Sequence, residues 1–315
     1  MVVRELTDGQ ELDCVLLVRE RRLRTERDGS EILQLTLGDR TGSIAAVVSD
    51  GVADLSAACD CGAAVRVQGR YSSRGERIAI RSLRAARADE VDLDALLDGP
   101  PRGAEQMEAD MRALIGTVQS VHLRALLEAV LGAGSDSWGR FRDAPAAKRY
   151  HQAYRHGLLE HSLSVAQSVS AIAANFPGID RDVAVCGALL HDIGKLDAYT
   201  ADPLAIDMTD AGKLQGEIPL GYYRVRRLIE DLPGFPDDLA AAVLHIILSH
   251  HGALEHGSPV VPCTREATLV HMIDNLGGRL GSFDRLEKEL PEGSRWSGYD
   301  RALGGGAYFG ARAAA

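Results

Sequence analysis

The hydrophobic pattern changes its period once along the chain, and this change constrains the fold more than any other feature. Up to about residue 90, short runs rich in Val, Ile and Leu are separated by Gly, Asp and Ser, which is typical of β-strands. Beyond about residue 106 the apolar residues recur with a period of 3.6, which is typical of helices. The sequence therefore predicts a small all-β domain followed by an all-α helical bundle.

Five apolar runs predict five strands in the first domain. They cover residues 12–18, 31–37, 43–49, 64–70 and 77–83. Turn signals at Asp39–Gly42 and Ser73–Glu76 predict hairpins between them. Five antiparallel strands in about 75 residues suit a small closed barrel, and the OB-fold is the commonest barrel of this kind that binds oligonucleotides.

The turn into the third predicted strand resembles that of OB-folds of the nucleic-acid-binding anticodon type. The matching residues are Asp39, Thr41, Gly42 and Ile44. This resemblance implies nucleic-acid binding, for which Arg22 and Arg24 in the arginine-rich stretch 19–27 are candidate contacts. A barrel that only packs against its neighbour is the alternative. Tyr71 favours that alternative, because it is the only aromatic residue in residues 1–90, whereas barrels that bind single strands usually carry several.

The segment between the two patterns has the composition of a linker. Residues 91–106 are acidic at first and then contain two consecutive prolines flanked by glycines. We therefore predict an OB-fold domain at 1–90, a linker at 91–106, an all-α domain at 107–300 and a Gly/Ala-rich tail at 301–315.

The charge balance limits the classes of function. A net charge of −10 argues against a protein whose whole surface coats nucleic acid, since that requires clustered Lys and Arg. A local groove stays open, because residues 1–88 hold 14 Arg against 13 acidic residues. No leader pattern and no apolar run of about 20 residues is found, so we expect a cytoplasmic protein without membrane contact. The five irregularly spaced cysteines argue against a disulfide framework.

Histidines are concentrated in the predicted helical domain, where nine of the ten lie between residues 151 and 271. Four predicted helices, at 158–174, 183–191, 239–250 and 267–280, carry or end in His and Asp residues on their apolar faces. These residues are His161, His191, Asp192, His250, His251 and Asp274. One helical His is more often a hydrogen-bonded core residue than a ligand. The whole set, however, is the nitrogen and oxygen donor set of Zn, Mn or Fe sites.

The order H…HD…D resembles the HD superfamily of metal phosphohydrolases. Longer strings resemble the YhaM-type 3′→5′ exoribonucleases, in which an OB-fold precedes an HD domain. These strings lie at Pro145–Lys148, His151–Tyr154, Gly157–His161, Leu189–Lys195, Ile247–Gly252, Gly257–Pro259 and Asp274–Leu276. The resemblance covers nearly the whole chain.

The resemblance implies two adjacent metal sites. The first would be held by His161, His191, Asp192 and Asp274, and Asp192 would bridge to a second ion held by His250 and His251. At the position of the family's G-H-I string the sequence reads Gly216-Glu217-Ile218. Glu217 can still bind Mn or Fe, but the change alters metal preference or weakens the second site.

The activity that the resemblance implies is 3′→5′ hydrolysis of single-stranded RNA or DNA to nucleoside 5′-monophosphates by a metal-activated water. We expect one or two divalent ions, with Mn²⁺ favoured over Fe²⁺, Zn²⁺ or Mg²⁺. Asp192 and Lys195 are the candidate catalytic residues, with Lys195 reaching a phosphate oxygen. His245, Glu255, His256 and His271 are further candidates, either for substrate contacts or for contacts that support the metal ligands.

Two other functions compete with this one. The first is a phosphohydrolase of nucleotides, cyclic dinucleotides or other small phosphate esters, with the barrel used for assembly, including formation of a homo-oligomer. The second is a nucleic-acid-binding protein whose metal site is degenerate, for which Glu217 is the sequence support.

Overall fold

The chain forms two compact units in the computed structural model. The structure describes residues 3–25, 31–48, 51–52, 55, 59–97, 99–148, 152–200, 206–288, 290 and 293–310. The first unit comprises Met1–Gly99, and the second comprises Pro100–Ala201 with Asp207–Ala315. None of the helices in the described part of the chain combines the length and hydropathy needed to span a bilayer.

The first unit is a closed five-stranded barrel, which confirms the predicted OB-like fold. Its strands are β1 (Glu11–Thr25), β2 (Glu31–Asp39), β3 (Gly42–Val48), β4 (Ala64–Ser72) and β5 (Arg77–Ala85), in the spatial order β1-β2-β3-β5-β4. The prediction of antiparallel pairing throughout was wrong for β3 and β5, which pair in parallel. The reason is that β4 lies between them in the chain and returns β5 to the direction of β3.

Alternating side chains form the barrel core. Along β2, Leu33, Leu35 and Leu37 are buried, whereas the alternating residues 34 and 36 are only half-buried. Burial of each such leucine contributes about 1.5–3 kcal/mol. Asp39 ends the strand, and its carboxylate accepts hydrogen bonds from the backbone N–H groups of Val3 (2.7 Å) and Thr41 (2.7 Å). The D-x-T-G pattern therefore encodes a turn whose buried carboxylate is hydrogen-bonded by the backbone.

The predicted linker is partly folded. A short helix, α1 (Leu93–Leu96), lies within it, and both Leu96 and Leu97 are buried. The guanidinium of Arg19 on β1 donates to the carbonyl of Leu96 at 3.1 Å. The acidic half of the segment thus packs in the first unit, and the next helix begins at Ala104.

The second unit is helical, as predicted. Its helices are α2 (Ala104–Gly116), α3 (Val121–Leu131), α4 (Trp138–Asp143), α5 (Gly157–Ala173), α6 (Arg181–Leu190), α7 (Lys195–Ala198), α8 (Asp210–Gln215), α9 (Glu217–Glu230), α10 (Asp237–Ser249) and α11 (Arg265–Lys288). Helix α6 is buried from Val183 to Leu190 and packs against α5, α10 and α11. Gly187 permits this close packing, because a Cβ atom there would lie 2.3 Å from the side chain of Ile246 on α10.

Two helices end where the predicted metal ligands begin. The side chain of Asp180 caps the start of α6, and the helix ends at Leu190, so that His191 is its C-terminal capping residue. Helix α10 ends in the same way, with His250 directly after Ser249. Both histidines are therefore held by a rigid, buried helix.

The second unit also contains a hairpin that the sequence analysis did not predict. Strands β6 (Trp296–Asp300) and β7 (Gly305–Tyr308) pair antiparallel, so part of the predicted Gly/Ala-rich tail is a β-strand. Residues 311–315 of the predicted tail lie outside the described residues.

Candidate metal centre

Three side chains from three helices form the first group of donor atoms. His161 projects from α5, His191 follows α6, and Asp274 lies on α11. The Nε2 atom of His161 lies 3.1 Å from Nε2 of His191 and 3.1 Å from Oδ1 of Asp274. Both histidines are buried. The apolar helical stripes therefore bring together residues that are far apart in the chain.

Asp192 lies between this group and a second one. Its Oδ2 atom is 3.2 Å from Nε2 of His161 and accepts a hydrogen bond of 2.6 Å from the ammonium of Lys195. Its Oδ1 atom faces Nε2 of His250 at 3.6 Å. The two oxygens of one buried carboxylate thus have different surroundings.

Glu217, His250 and His251 form the second group, in which the donor atoms all lie within 4.8 Å of one another. Glu217 is the first residue of α9, and its Oε1 atom is 3.6 Å from Nε2 of His251. The carboxylate of Glu217 therefore lies where it could bind one metal ion together with the two histidines.

Backbone carbonyls orient three of the four imidazoles. The Nδ1 atoms of His191, His250 and His251 lie 2.7–2.9 Å from the carbonyl oxygens of Ala188, Ile247 and His256, respectively. A carbonyl can only accept a hydrogen bond, so Nδ1 carries the proton in each ring. The neutral rings then present Nε2 as a lone pair toward the cluster, which is the tautomer that binds a metal ion.

The donor set fits a divalent cation. Nε2 of His250 and Oδ1 of Asp192 are both buried and make no hydrogen bond in the described part of the chain. Unsatisfied buried polar atoms are costly, and here they face each other among further lone pairs and carboxylates. A bound cation satisfies all of them at once. Imidazole nitrogens with carboxylate oxygens are donors that Mn, Fe and Zn accept.

Proton affinities in the cluster are shifted by its packed charges. Burial opposes protonation of His161, but its contacts with Asp192 and Asp274 outweigh burial and raise its pKa to about 9. Burial also disfavours the charged form of Asp192, yet Lys195 and His191 hold the pKa of this carboxyl well below its usual value. Burial and the neighbouring His250 lower the pKa of His251. The carboxylates thus stay ionised, as metal ligands must.

A hydrogen bond from α11 supports the turn that carries the double His. His271 on α11 donates from Nδ1 to the carbonyl of His250 at 2.8 Å. Its ring lies against Gly252, where a Cβ atom would be 2.0 Å from the ring and where φ is +81°. Only glycine fits both the backbone and the ring. The sequence analysis named His271 as a candidate, and it assigned no role to Gly252.

A cavity of about 280 Å³ opens beside the second group. Its lining consists of His250, His251, His256, His271, Asp274 and Asn275. Of the predicted substrate contacts, His256 and His271 thus line the cavity, and Lys195 contacts Asp192 in the cluster. Asn275 was not predicted, because an Asn next to an Asp on a helix carries no signal of its own.

The other predicted substrate contacts lie elsewhere. His245 accepts a hydrogen bond from the backbone N–H of Cys263 at 3.0 Å and does not line the cavity. Glu255 is exposed in the turn Leu254–His256. Arg22 and Arg24 are exposed on β1 of the barrel unit. In the string His151–Tyr154, His151 lies outside the described residues.

Comparison with known proteins agrees with this geometry. The HD-domain family model matches residues 158–278. The 3′-5′ exoribonuclease YhaM of Geobacillus sp. (strain WCH70) is 31% identical over 287 residues, which are 90% of this chain and 87% of the relative. The proteins of the same name in Listeria monocytogenes and Bacillus subtilis (strain 168) are 29% and 28% identical, each with 90% of both chains covered.

The barrel, the helical unit and the HD match define the class: the chain is an HD-domain enzyme with an N-terminal OB-like barrel. Within that class, the chain belongs to the YhaM family of 3′→5′ exoribonucleases. Its helical unit is that of a nuclease or phosphohydrolase, and the HD domain implies binding of divalent metal.

Proposed function

We propose that this protein is a metal-dependent 3′→5′ exoribonuclease that releases nucleoside 5′-monophosphates from single-stranded RNA. The observation that carries the proposal is the pair of donor groups joined by Asp192 in a chain of this family. A buried set of this composition has no packing role, because apolar side chains fill a helix interior at lower cost.

Two divalent ions are assigned to the two groups. His161, His191, Asp192 and Asp274 would hold the first ion, and Glu217, His250 and His251 would hold the second together with Asp192. Manganese suits the second group, because its carboxylate replaces an expected imidazole and oxygen donors favour Mn²⁺ over Zn²⁺. When bound, such ions lower the pKa of a water molecule, orient the phosphate and stabilise the departing oxygen.

The chain's own residues prepare this chemistry. Lys195 holds one oxygen of Asp192, so the other oxygen stays directed at His250. The buried carbonyls behind the histidines keep their Nε2 lone pairs turned inward. Once a substrate enters, the ammonium of Lys195 lies close enough to the cluster to share its charge with a phosphate oxygen.

The small cavity favours removal of one nucleotide at a time. Its volume of about 280 Å³ is just below the range typical of pockets for drug-sized ligands, and His256, His271 and Asn275 offer polar atoms at its wall. A single terminal nucleotide is the unit that such a cavity accommodates. The barrel contributes exposed cations, Arg22 and Arg24, for the phosphate backbone.

A phosphohydrolase of small phosphate esters is the second candidate. Its support is the barrel surface, which offers Tyr71 as the only aromatic residue in residues 1–90 for base stacking. Under this alternative the same metal cluster would act on mononucleotides or cyclic dinucleotides.

The test is incubation of the metal-loaded protein with 5′-labelled single-stranded RNA and a matched DNA. We expect a ladder that shortens from the 3′ end with Mn²⁺, that stops with a chelator and that is absent in Asp192→Ala. Re-addition of Mn²⁺, Fe²⁺, Zn²⁺ or Mg²⁺ to the chelated enzyme ranks the metals. Intact oligonucleotides together with hydrolysis of small phosphodiesters would overturn the proposal in favour of the second candidate.

A further inference from the structure

The hairpin β6–β7 presents three aromatic side chains on one face. Trp296 pairs with Tyr308 in the strand register, and Tyr299 pairs with Gly306. Directly paired residues share a face, and residues 306 and 308 share one because they are two apart on a strand. The bulge between Trp296 and Tyr299 thus brings both of these residues to the same face.

This face is the exposed one. Trp296, Tyr299 and Tyr308 are 60%, 76% and 51% exposed, whereas Ala307, which points the other way, is 2% exposed. On the buried side the ring of Phe309 packs edge-on against Phe283 of α11. The hairpin therefore rests on α11 through one face and offers its rings to solvent through the other.

The spacing of the rings suits a flat ligand. Gly306 has no side chain, and the ring of Trp296 extends beside it, since a Cβ atom at Gly306 would lie 3.8 Å from that ring. The ring centroids of Trp296 and Tyr308 are 5.0 Å apart. The pair therefore forms a continuous aromatic surface whose solvent-facing side can receive a planar group in van der Waals contact.

The charges beside the rings favour a polyanion. Arg295 and Arg301 flank the hairpin and form no ion pair with any described residue. The hairpin's own acidic group, Asp300, is occupied by an ion pair with Arg285 of α11. Aromatic faces with free guanidinium groups beside them are the combination that binds single-stranded nucleic acid.

The position of the hairpin also suits the proposed substrate. Helix α11 carries Asp274 of the candidate metal centre and, eleven residues later, Arg285, which holds the hairpin. At 1.5 Å per residue these two points are about 16 Å apart along the helix axis. A short single strand extending from the metal centre spans this distance.

We propose that Trp296, Tyr299 and Tyr308 form a platform on which bases of single-stranded RNA stack, upstream of the nucleotide being removed. This proposal rests on the proposed function and supplies the aromatic contacts that the barrel lacks. A partner protein, including a second copy of this chain, is the competing occupant of the face.

RNA binding is measured on the full-length Asp192→Ala protein, so that the RNA is not shortened during the measurement. The probe is an oligoadenylate of about twelve nucleotides, which lies within the range of known single-strand site sizes. Trp296 reports directly by quenching of its fluorescence, because the chain has two tryptophans and the other, Trp138, is buried. Affinities of all variants, including those that lack Trp296, are compared through the fluorescence anisotropy of a dye on the RNA. We expect quenching that saturates with RNA.

Substitution tests each ring. Trp296→Ala, Tyr299→Ala and Tyr308→Ala are each expected to weaken binding about tenfold, whereas Trp296→Phe and Tyr299→Phe keep a ring and stay within about threefold of the parent. Tyr223→Ala, which removes an exposed aromatic from α9, is the matched control and should not change binding. The conservative variants separate loss of stacking from loss of folding.

Two outcomes overturn the proposal. One is unchanged RNA affinity in all three alanine variants. The other is a dimer, seen by sedimentation without RNA, that dissociates on substitution of the rings while RNA affinity is retained, since the face would then be a self-interface. The proposed function can fail separately: RNA that binds and quenches but is never shortened by the metal-loaded wild type contradicts the nuclease and leaves the platform intact.

Discussion

The two units of the molecule differ in how their buried ionisable groups are hydrogen-bonded. In the described part of the barrel unit, Asp39 is the one buried charged residue, and backbone N–H groups satisfy its carboxylate. The helical unit buries His161, His191, Asp192 and His250 together, and some of their atoms are left without hydrogen bonds. The barrel satisfies its buried carboxylate with its own backbone N–H groups, whereas the cluster in the helical unit leaves facing donor atoms that a bound cation would satisfy.

This difference separates structural residues from functional ones. A buried charge without a partner costs several kcal/mol, so a fold selected for stability alone would replace it with apolar side chains. A cluster of buried charged residues therefore identifies the candidate site better than solvent exposure or cavity volume does. Four substitutions, taken from the largest expected effect to the smallest, test this contrast.

Asp192→Ala should abolish most of the activity. Removal of a group that hydrogen-bonds a metal ligand typically lowers metal affinity or activity about 10- to 100-fold. Asp192 contacts both donor groups directly, so we expect the rate of RNA hydrolysis to fall by more than about 100-fold. The rate of release of labelled nucleotide measures it. Asp60→Ala, which removes an exposed barrel carboxylate, is the control, and equal rates in both variants would remove the basis for the contrast.

Glu217→Gln should weaken the second group selectively. The substitution keeps the size of the side chain and removes its charge, so the apparent affinity for Mn²⁺ in activity titrations should fall about 10- to 100-fold. Calorimetry should still detect one tight ion at the first group. Glu230→Gln, at the other end of α9, serves as control. An unchanged Mn²⁺ titration would show that Glu217 is not a ligand.

Lys195→Met should lower activity about tenfold, because the variant loses a cation beside the reacting phosphate. It should also lower the melting temperature of chelated protein, since Asp192 then loses the partner that lowers its pKa. Added Mn²⁺ should restore part of that loss. Lys213→Met, at an exposed position on α8, provides the comparison. Equal melting temperatures of the two chelated variants would contradict the role of the pair.

Glu90→Gln should produce the smallest effect, and this effect should depend on pH. Hydrogen bonds from Arg84, from the backbone N–H of Arg87 and from Arg66 outweigh the effect of burial and lower the pKa of Glu90. Its contribution to stability is therefore present above the unfolded value of about 4.3 and is lost as the pH falls toward the folded value. The melting temperatures of variant and wild type should differ by a few degrees at neutral pH and converge below about pH 4. A difference that grows on acidification would contradict this.

Most of the fold could be predicted from patterns of period 2 and 3.6, which reflect burial. The prediction failed where burial was absent. Strand β1 runs to Thr25, beyond the predicted end at residue 18, because its residues 20–25 are exposed and carry no apolar alternation. The hairpin β6–β7 was missed for the same reason, since its aromatic residues face solvent, and its glycines further interrupt the pattern.

The candidate site could be predicted as a set of residues but not as an arrangement. Adjacent His and Asp residues at predicted helix ends, together with the family resemblance, named the donors, including Glu217. The pairing of Lys195 with Asp192 is local, because the two residues lie three apart in one turn. The meeting of the two donor groups and the packing of His271 on Gly252, however, depend on contacts between segments far apart in the chain. No sequence spacing encodes those contacts.

The donor groups are assembled from helices that are far apart in the chain, and this has a consequence during synthesis. His161 and Asp274 lie more than 100 residues apart, and a nascent chain folds from its N-terminus as it leaves the ribosome. The barrel and the first histidines emerge early, but Asp274 joins them only after α11 has been made and packed. The first group of donor atoms is therefore incomplete in the growing polypeptide until the segment that carries Asp274 has been synthesised.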